Sequence, residues 1–107
     1  MSELTIQEKG YKRHQELCDE IHETYVQKNT AYGDSFHELY KDLGIISAVT
    51  QITHKYSRLK TLAKDKNNNI NTGDEAITDT LLDLANYCLL TVMEIEREAV
   101  EQAAKRG

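Results

Sequence analysis

The chain of 107 residues contains no proline. Without proline every residue keeps its backbone N–H and no ring clashes with a preceding turn, so nothing interrupts long helices. Glycine is scarce, and Leu, Ala, Glu, Lys, Gln and Arg, which lose little side-chain entropy in a helix, dominate. The expected fold is all-α: an antiparallel bundle of about four helices. One domain over residues 1–107 is expected from the length. So small a core gains from self-association, and a homo-oligomer is expected.

Net charge is −5, from 18 acidic residues against 13 Lys and Arg. A surface for polymeric nucleic acid needs excess positive charge to displace counterions, so none is expected. A small phosphorylated ligand needs only a few local cations. No uninterrupted apolar run approaches the roughly 18–20 residues of a membrane span, so no membrane partner is expected. The first ten residues, MSELTIQEKG, lack the apolar segment of a signal peptide. Cys18 and Cys88, each in an apolar helical pattern, read as free buried thiols of a cytoplasmic protein.

Four helical segments follow from periodicity. The first runs from about Thr5 to Asn29, with Leu17, Cys18, Ile21 and Tyr25 on one side. It ends in a loop, Lys28 to Ser35, where Asp34 or Ser35 caps a short helix over Phe36–Leu43. A third helix occupies about Ile45–Lys64. Its apolar side is Ile45, Ile46, Val49, Ile52, Tyr56, Leu59 and Ala63; Ser47, Thr50, Gln51, His54 and Arg58 lie opposite, with Lys55 on the border. Lys66–Gly73 is Asn-rich and reads as a loop. Asp74 then caps a last helix reaching about Ala103.

That last helix carries the chemistry. Ile77, Leu81, Leu84, Cys88, Val92 and Ile95 form one broad apolar side, while Leu82, Leu89, Leu90 and Met93 lie on or beside the other. A helix apolar nearly all round is buried on two faces, one against its own protomer and one against a partner. The bland alternative is a central helix in a monomeric bundle. Glu75, Asp79 and Asp83 recur every fourth residue, with Asn86 three further on, within an arc of roughly 80°. No Lys or Arg occurs from Asn67 to Glu96, so the stripe has no local counterion, and Asp83 is embedded among leucines. Such a row calls for a compensating cation. Mg²⁺, which prefers carboxylates plus substrate phosphates, is one candidate; Lys55 or Arg58 of the third helix is another. An acidic face favoured by the helix dipole explains Glu75 and Asp79 but does not reach Asp83.

His54, Lys55 and Arg58 offer phosphate donors within about one turn, although basic residues on a polar helix side are usually solvated. In the loop, Gly33 permits a positive φ, Tyr32 offers a ring to a base and Lys28 a charge to a phosphate; alone, the segment reads as a helix-ending turn anchored by Tyr32 and Phe36. His14, Cys18 and His22 share zinc-like spacing but have no evident fourth ligand.

Together, Lys28-Asn29-x-x-Tyr32-Gly33-Asp34-Ser35, Lys55-x-x-Arg58-Leu59 and Glu75-x-x-x-Asp79-Thr80-Leu81-Leu82-Asp83-Leu84-Ala85-Asn86-Tyr87 resemble the nucleotide-modification-associated helical domains common in bacteriophages. Those are similar to the MazG-type all-α nucleoside triphosphate pyrophosphatases. The resemblance implies an oligomeric helical bundle with a nucleotide pocket between helices. It implies Glu75, Asp79 and Asp83 as catalytic and Mg²⁺-holding residues. Lys28, Tyr32, Asp34, Ser35, His54, Lys55, Arg58, Asn86 and Tyr87 would contact a nucleotide or nucleotide-derived small molecule. Two departures stand out: Asp79 and Asp83 are four apart where the pyrophosphatases use a spacing of three, and Lys55 and Arg58 stand where a glutamate pair is expected. Hydrolysis of an α–β phosphoanhydride is one expectation. The alternative is a non-catalytic phage sponge that sequesters a nucleotide or cyclic-nucleotide immune signal, and a third reading is a structural module with the acids paired to Lys55 and Arg58.

Overall fold

A computed structural model describes residues 3–68 and 74–107, with side chains throughout except at 66–68 and 74. Among these residues the chain forms four helices and no strand: α1 (Ile6–Tyr32), α2 (Ser35–Leu43), α3 (Ile45–Asn68) and α4 (Asp74–Arg106). The all-helical expectation holds. Helices α1, α3 and α4 outrun their expected ends by about a turn or less. The Asn-rich segment read as a loop is helical through Asn68; its remainder, and the capping role read for the Asp74 side chain, lie outside the described residues.

Two compact units make up the chain, Met1–Gly33 and Asp34–Gly107. The first is α1. Thr5 caps it: its Oγ1 accepts from the Glu8 amide at 3.1 Å and donates to the Glu8 carboxylate at 3.2 Å. Gly33 ends it at φ 78°, returning its N–H to the Asn29 carbonyl at 2.8 Å. Cys18 and His14 approach to 3.9 Å, but among the described residues no group of three His, Cys, Asp or Glu could hold a metal ion.

The second unit packs α2, α3 and α4 on one another. Asp34 is the α2 N-cap, its carboxylate accepting from the His37 amide at 3.3 Å. Gly44, at φ 74°, lets α2 stop and α3 start almost at once. The buried apolar residues are few: Tyr40, Ala48 and Leu90, one from each helix.

The faces that meet differ from those the apolar pattern favours. On α4 the inward stripe is Ala76, Thr80, Asp83, Tyr87, Leu90 and Glu94, spaced alternately by four and three and spanning roughly 80°. Four of its six residues carry polar groups, yet Thr80 is only 2% exposed and Glu94 only 4%. Burial without partners would cost about 1–3 kcal/mol per group, so each must be satisfied. Thr80 Oγ1 donates to the Ala76 carbonyl at 2.7 Å, Asp83 meets Lys55, and Glu94 meets His37 and Arg97. On α3 the packed arc runs Ala48, Gln51, Ile52, Lys55, Leu59 and Leu62, so Lys55 is central rather than marginal. Ile45, Ile46, Val49 and Tyr56 are exposed.

The richer apolar side of α4 is thus the uncovered one. Leu81, Leu89, Val92 and Ile95 are 47%, 55%, 53% and 46% exposed. Cys88 lies on the same side, and both cysteines are free and exposed rather than buried, because an apolar helical position shelters a thiol only where another element packs against it. By length and composition α4 is also apolar enough to cross a membrane. The expectation drawn from uninterrupted runs misses this because the apolar stretch is broken by Asp79 and Asp83. Those carboxylates would cost about 2.5–3.5 kcal/mol each at a bilayer centre.

Candidate nucleotide site at the α3–α4 seam

Helix α3 brings Lys55 to α4, where its Nζ donates to Asp83 Oδ2 at 3.0 Å. The side chains remain 28% and 40% exposed, so the pair sits at the lip of the seam with water on one side. The basic-helix candidate for the acid row's counterion is therefore realised at Asp83 by Lys55. Arg58 is exposed on α3 about one turn after Lys55, and His54, the residue just before Lys55, is exposed too. Glu75 and Asp79 are exposed on α4, and among the described residues neither has an ion-pair partner. Asn86 is half-buried one turn beyond Asp83.

No group of three carboxylates, histidines or thiols in the described residues is arranged around a common point, so Glu75, Asp79 and Asp83 do not form a three-ligand cage by themselves. Their stacking one turn apart on a straight helix explains why: successive Cβ atoms stand about 5–6 Å apart, and Asp83 turns toward Lys55. Glu75 and Asp79 remain as a pair that could share a cation with a phosphorylated ligand.

The loop candidates divide between the two units. Lys28 and Tyr32 are exposed on α1, Tyr32 at 83%; Tyr32 is no core anchor. In the second unit Asp34 caps α2 and lies 3.9 Å from Arg97, while Ser35 is exposed at the first turn of α2. Tyr87 stacks on Phe36, ring centroids 5.8 Å apart at 23°, so it joins α2 to α4.

A polar cluster that the residue pattern does not announce sits where α2 meets α4. Glu94, buried between Met93 and Ile95 in sequence, accepts from Arg97 at 2.6 Å and from His37 Nδ1 at 2.8 Å. A carboxylate held by an arginine is ionised and only accepts, so the Nδ1 proton of His37 points at it. Tyr40 lies beside this group. Its phenol is raised above the ordinary value by burial first, then by the charge of Glu98 and a hydrogen bond to it, then by the charge of Glu94. The one available signal for this cluster was an isolated glutamate inside an apolar helical run with an arginine three residues on. An open depression on α4, lined by Met93, Glu96, Arg97, Val100 and Glu101, contains none of the carboxylate stripe.

The seam thus offers cations, carboxylates and an amide along one edge, a set suited to phosphate and to sugar hydroxyls or base amines. No curated protein and no solved structure matches the chain. Residues 28–95, more than half of the chain, match a family model described as nucleotide modification associated domain 1, and the match spans all three segments discussed above. The chain belongs to the nucleotide modification associated domain 1 family.

Proposed function

We propose that this protein binds a nucleotide along the α3–α4 seam and holds it without reaction. Family membership supports a nucleotide-related role. The observation that carries the finer reading is the Lys55–Asp83 pair, half open to solvent beside exposed Arg58, His54 and Asp79. Lys55 neutralises Asp83 in the free protein, and an arriving phosphate takes over the ammonium while Asp83 and Asn86 turn to ribose hydroxyls or base amines. Arg58 supplies a forked donor to the same phosphate. In this reading the protein acts as a sponge, sequestering a nucleotide or cyclic-nucleotide signal.

A second reading, Mg²⁺-dependent pyrophosphohydrolysis of a nucleoside triphosphate, is favoured by Glu75 and Asp79. These adjacent exposed carboxylates lack ion-pair partners among the described residues, and Mg²⁺ accepts one or two carboxylates together with substrate phosphates. Incubating the purified chain with Mg²⁺ and a panel of dNTPs, NTPs and cyclic nucleotides separates the two. Intact ligand recovered after denaturation supports sequestration; released pyrophosphate supports hydrolysis. Absence of binding across the panel overturns both.

A further inference from the structure

We propose that the ligand of the α3–α4 seam is a nucleotide with a single phosphate, as monoester or cyclic diester, and that Asp83 is the residue that turns bare anions away. This rests on nucleotide binding at the seam. Lys55 of α3 and Asp83 of α4 meet at 3.0 Å on either side of a short connection, so the two helices run antiparallel. At 100° per residue, Arg58 and His54 fall on one flank of Lys55, and Asp79, Glu75 and Asn86 on one flank of Asp83. In an antiparallel pair those two flanks line the same edge. Arg58 and Asp79 each stand about one turn from the Lys55–Asp83 pair, toward the connection, so they share a level. All of these residues belong to the Asp34–Gly107 unit.

Two features of that edge set the ligand class. The first is charge. Lys55 and Arg58 share the edge with Asp83, Asp79 and Glu75, so the acids are already in excess before any ligand arrives. Within two turns of the pair, Lys60 is the one other cation among the described side chains, and it turns away from the edge to lie over the Tyr56 ring at 5.5 Å. A single phosphate carries at most about two negative charges, which Lys55 and Arg58 can meet. A polyphosphate brings more, with only carboxylates left to face it, and like charges at such range repel. The second feature is the pairing itself. An anion that takes Lys55 strips Asp83 of its cation and then stands beside it as a like charge. A ligand escapes that penalty only by bringing a donor. Hydroxyls on the sugar that carries the phosphate donate to Asp83, and the Asn86 amide, one turn on, accepts or donates beside it. Asp83 thus competes with every anion for Lys55 and yields to one that replaces the bond it loses.

The test is titration calorimetry on the full chain, in EDTA so that no divalent cation shields a polyphosphate. The probes are AMP, GMP, CMP and UMP, their 5′-triphosphates, the 3′,5′-cyclic forms of AMP and GMP, and sulfate, a dianion with no proton to donate at neutral pH. The tightest ligand is expected to carry one phosphate. It should bind at least about tenfold tighter than the triphosphate of the same base, and at least about tenfold tighter than sulfate. In Asp83→Asn the preference over sulfate is expected to shrink at least about tenfold, since Lys55 has lost its competitor. Asp79→Asn, at an exposed position, is expected to narrow the gap between triphosphate and single phosphate at least about threefold, and it decides the matter if Asp83→Asn does not fold. A triphosphate that binds as tightly as its single-phosphate counterpart overturns the inference, and the seam reading survives if Lys55→Gln weakens that binding. An unchanged preference over sulfate in folded Asp83→Asn, or an unchanged gap in Asp79→Asn, overturns it as well. No binding by any of the nucleotides overturns the seam reading and this inference together.

Discussion

His37 Nδ1 lies 2.8 Å from both carboxylate oxygens of Glu94, a residue 57 positions later in the chain. Arg97 reaches the same carboxylate from one turn away at 2.6 Å and extends toward Asp34, which in turn caps the helix bearing His37. The loop closes on itself: the cap orients α2, α2 delivers the imidazole, and the imidazole fixes the glutamate. Because Glu94 is buried while His37 and Arg97 are partly exposed, the group fastens α2 onto α4 and leaves little free to meet a ligand.

Removing the shared acceptor should therefore cost stability. Glu94→Ala is expected to destabilise the chain by about 2–4 kcal/mol, less than a fully buried triad because His37 and Arg97 regain water. Arg97→Ala should cost about 1 kcal/mol, since His37 still satisfies the carboxylate. Urea unfolding of each variant measures both values. If Glu94→Ala unfolds at the wild-type urea midpoint, the cluster does not hold the helices together.

Lys55 makes a contrasting case at the lip of the seam. Its pair with Asp83 is part-exposed and screened, so Lys55→Gln should change stability by less than about 1 kcal/mol. The same change removes the cation assigned to the phosphate, and nucleotide affinity should fall at least about tenfold in titration calorimetry. Equal loss of stability and retained affinity would make the pair a structural bridge only.

Helix number and the breaks at Gly33–Asp34 and Gly44 were legible because they depend on local chemistry: no proline, Gly33 and Gly44 at positive φ, Asp34 at a cap; α1, α3 and α4 each run up to about a turn beyond the ends that the pattern gives. Which faces meet was not, because periodicity reports how apolar a side is but not what lies against it. Helix α4 is apolar nearly all round, so its packed side is selected by satisfied polar partners, Thr80, Asp83 and Glu94, and these depend on residues far away in sequence. The same holds for Lys55, whose long apolar stem lets it occupy the middle of a packed arc while its ammonium stays at the surface. The carboxylate stripe was readable as a row needing a counterion; that Lys55 would reach Asp83 alone, leaving Glu75 and Asp79 open, depends on the rotation of α3.

Tyr40 gives an alkaline signature. Its phenol is raised by burial and by Glu98 and Glu94, so the unfolded chain releases this proton first as pH rises past about 10. Between the unfolded and folded values the folded state holds the extra proton, and stability falls with rising pH. The contribution is complete below pH 10 and lost on passing upward through the folded value. Tyr40→Phe should flatten that limb while leaving the neutral-pH unfolding midpoint within about 1 kcal/mol of wild type, because the ring is retained and one hydrogen bond is lost. An alkaline limb that is identical in Tyr40→Phe would mean that another group governs it.

The Phe36–Tyr87 stack is a further tie between α2 and α4, and a double-mutant cycle isolates it from the Glu94 cluster. The rings are 5.8 Å apart and nearly parallel, a geometry worth about 0.5–1.5 kcal/mol beyond the area it buries. Phe36→Leu and Tyr87→Leu each remove the partner while keeping an apolar side chain, so the coupling energy between them should fall in that range. Tyr87 is also a candidate ligand contact, which makes the pair of readouts informative. If Tyr87 serves packing alone, Phe36→Leu and Tyr87→Leu lower stability alike and leave nucleotide affinity alike. A loss of affinity confined to Tyr87→Leu assigns its ring or hydroxyl to the ligand, since Phe36→Leu removes the same stack from the other side.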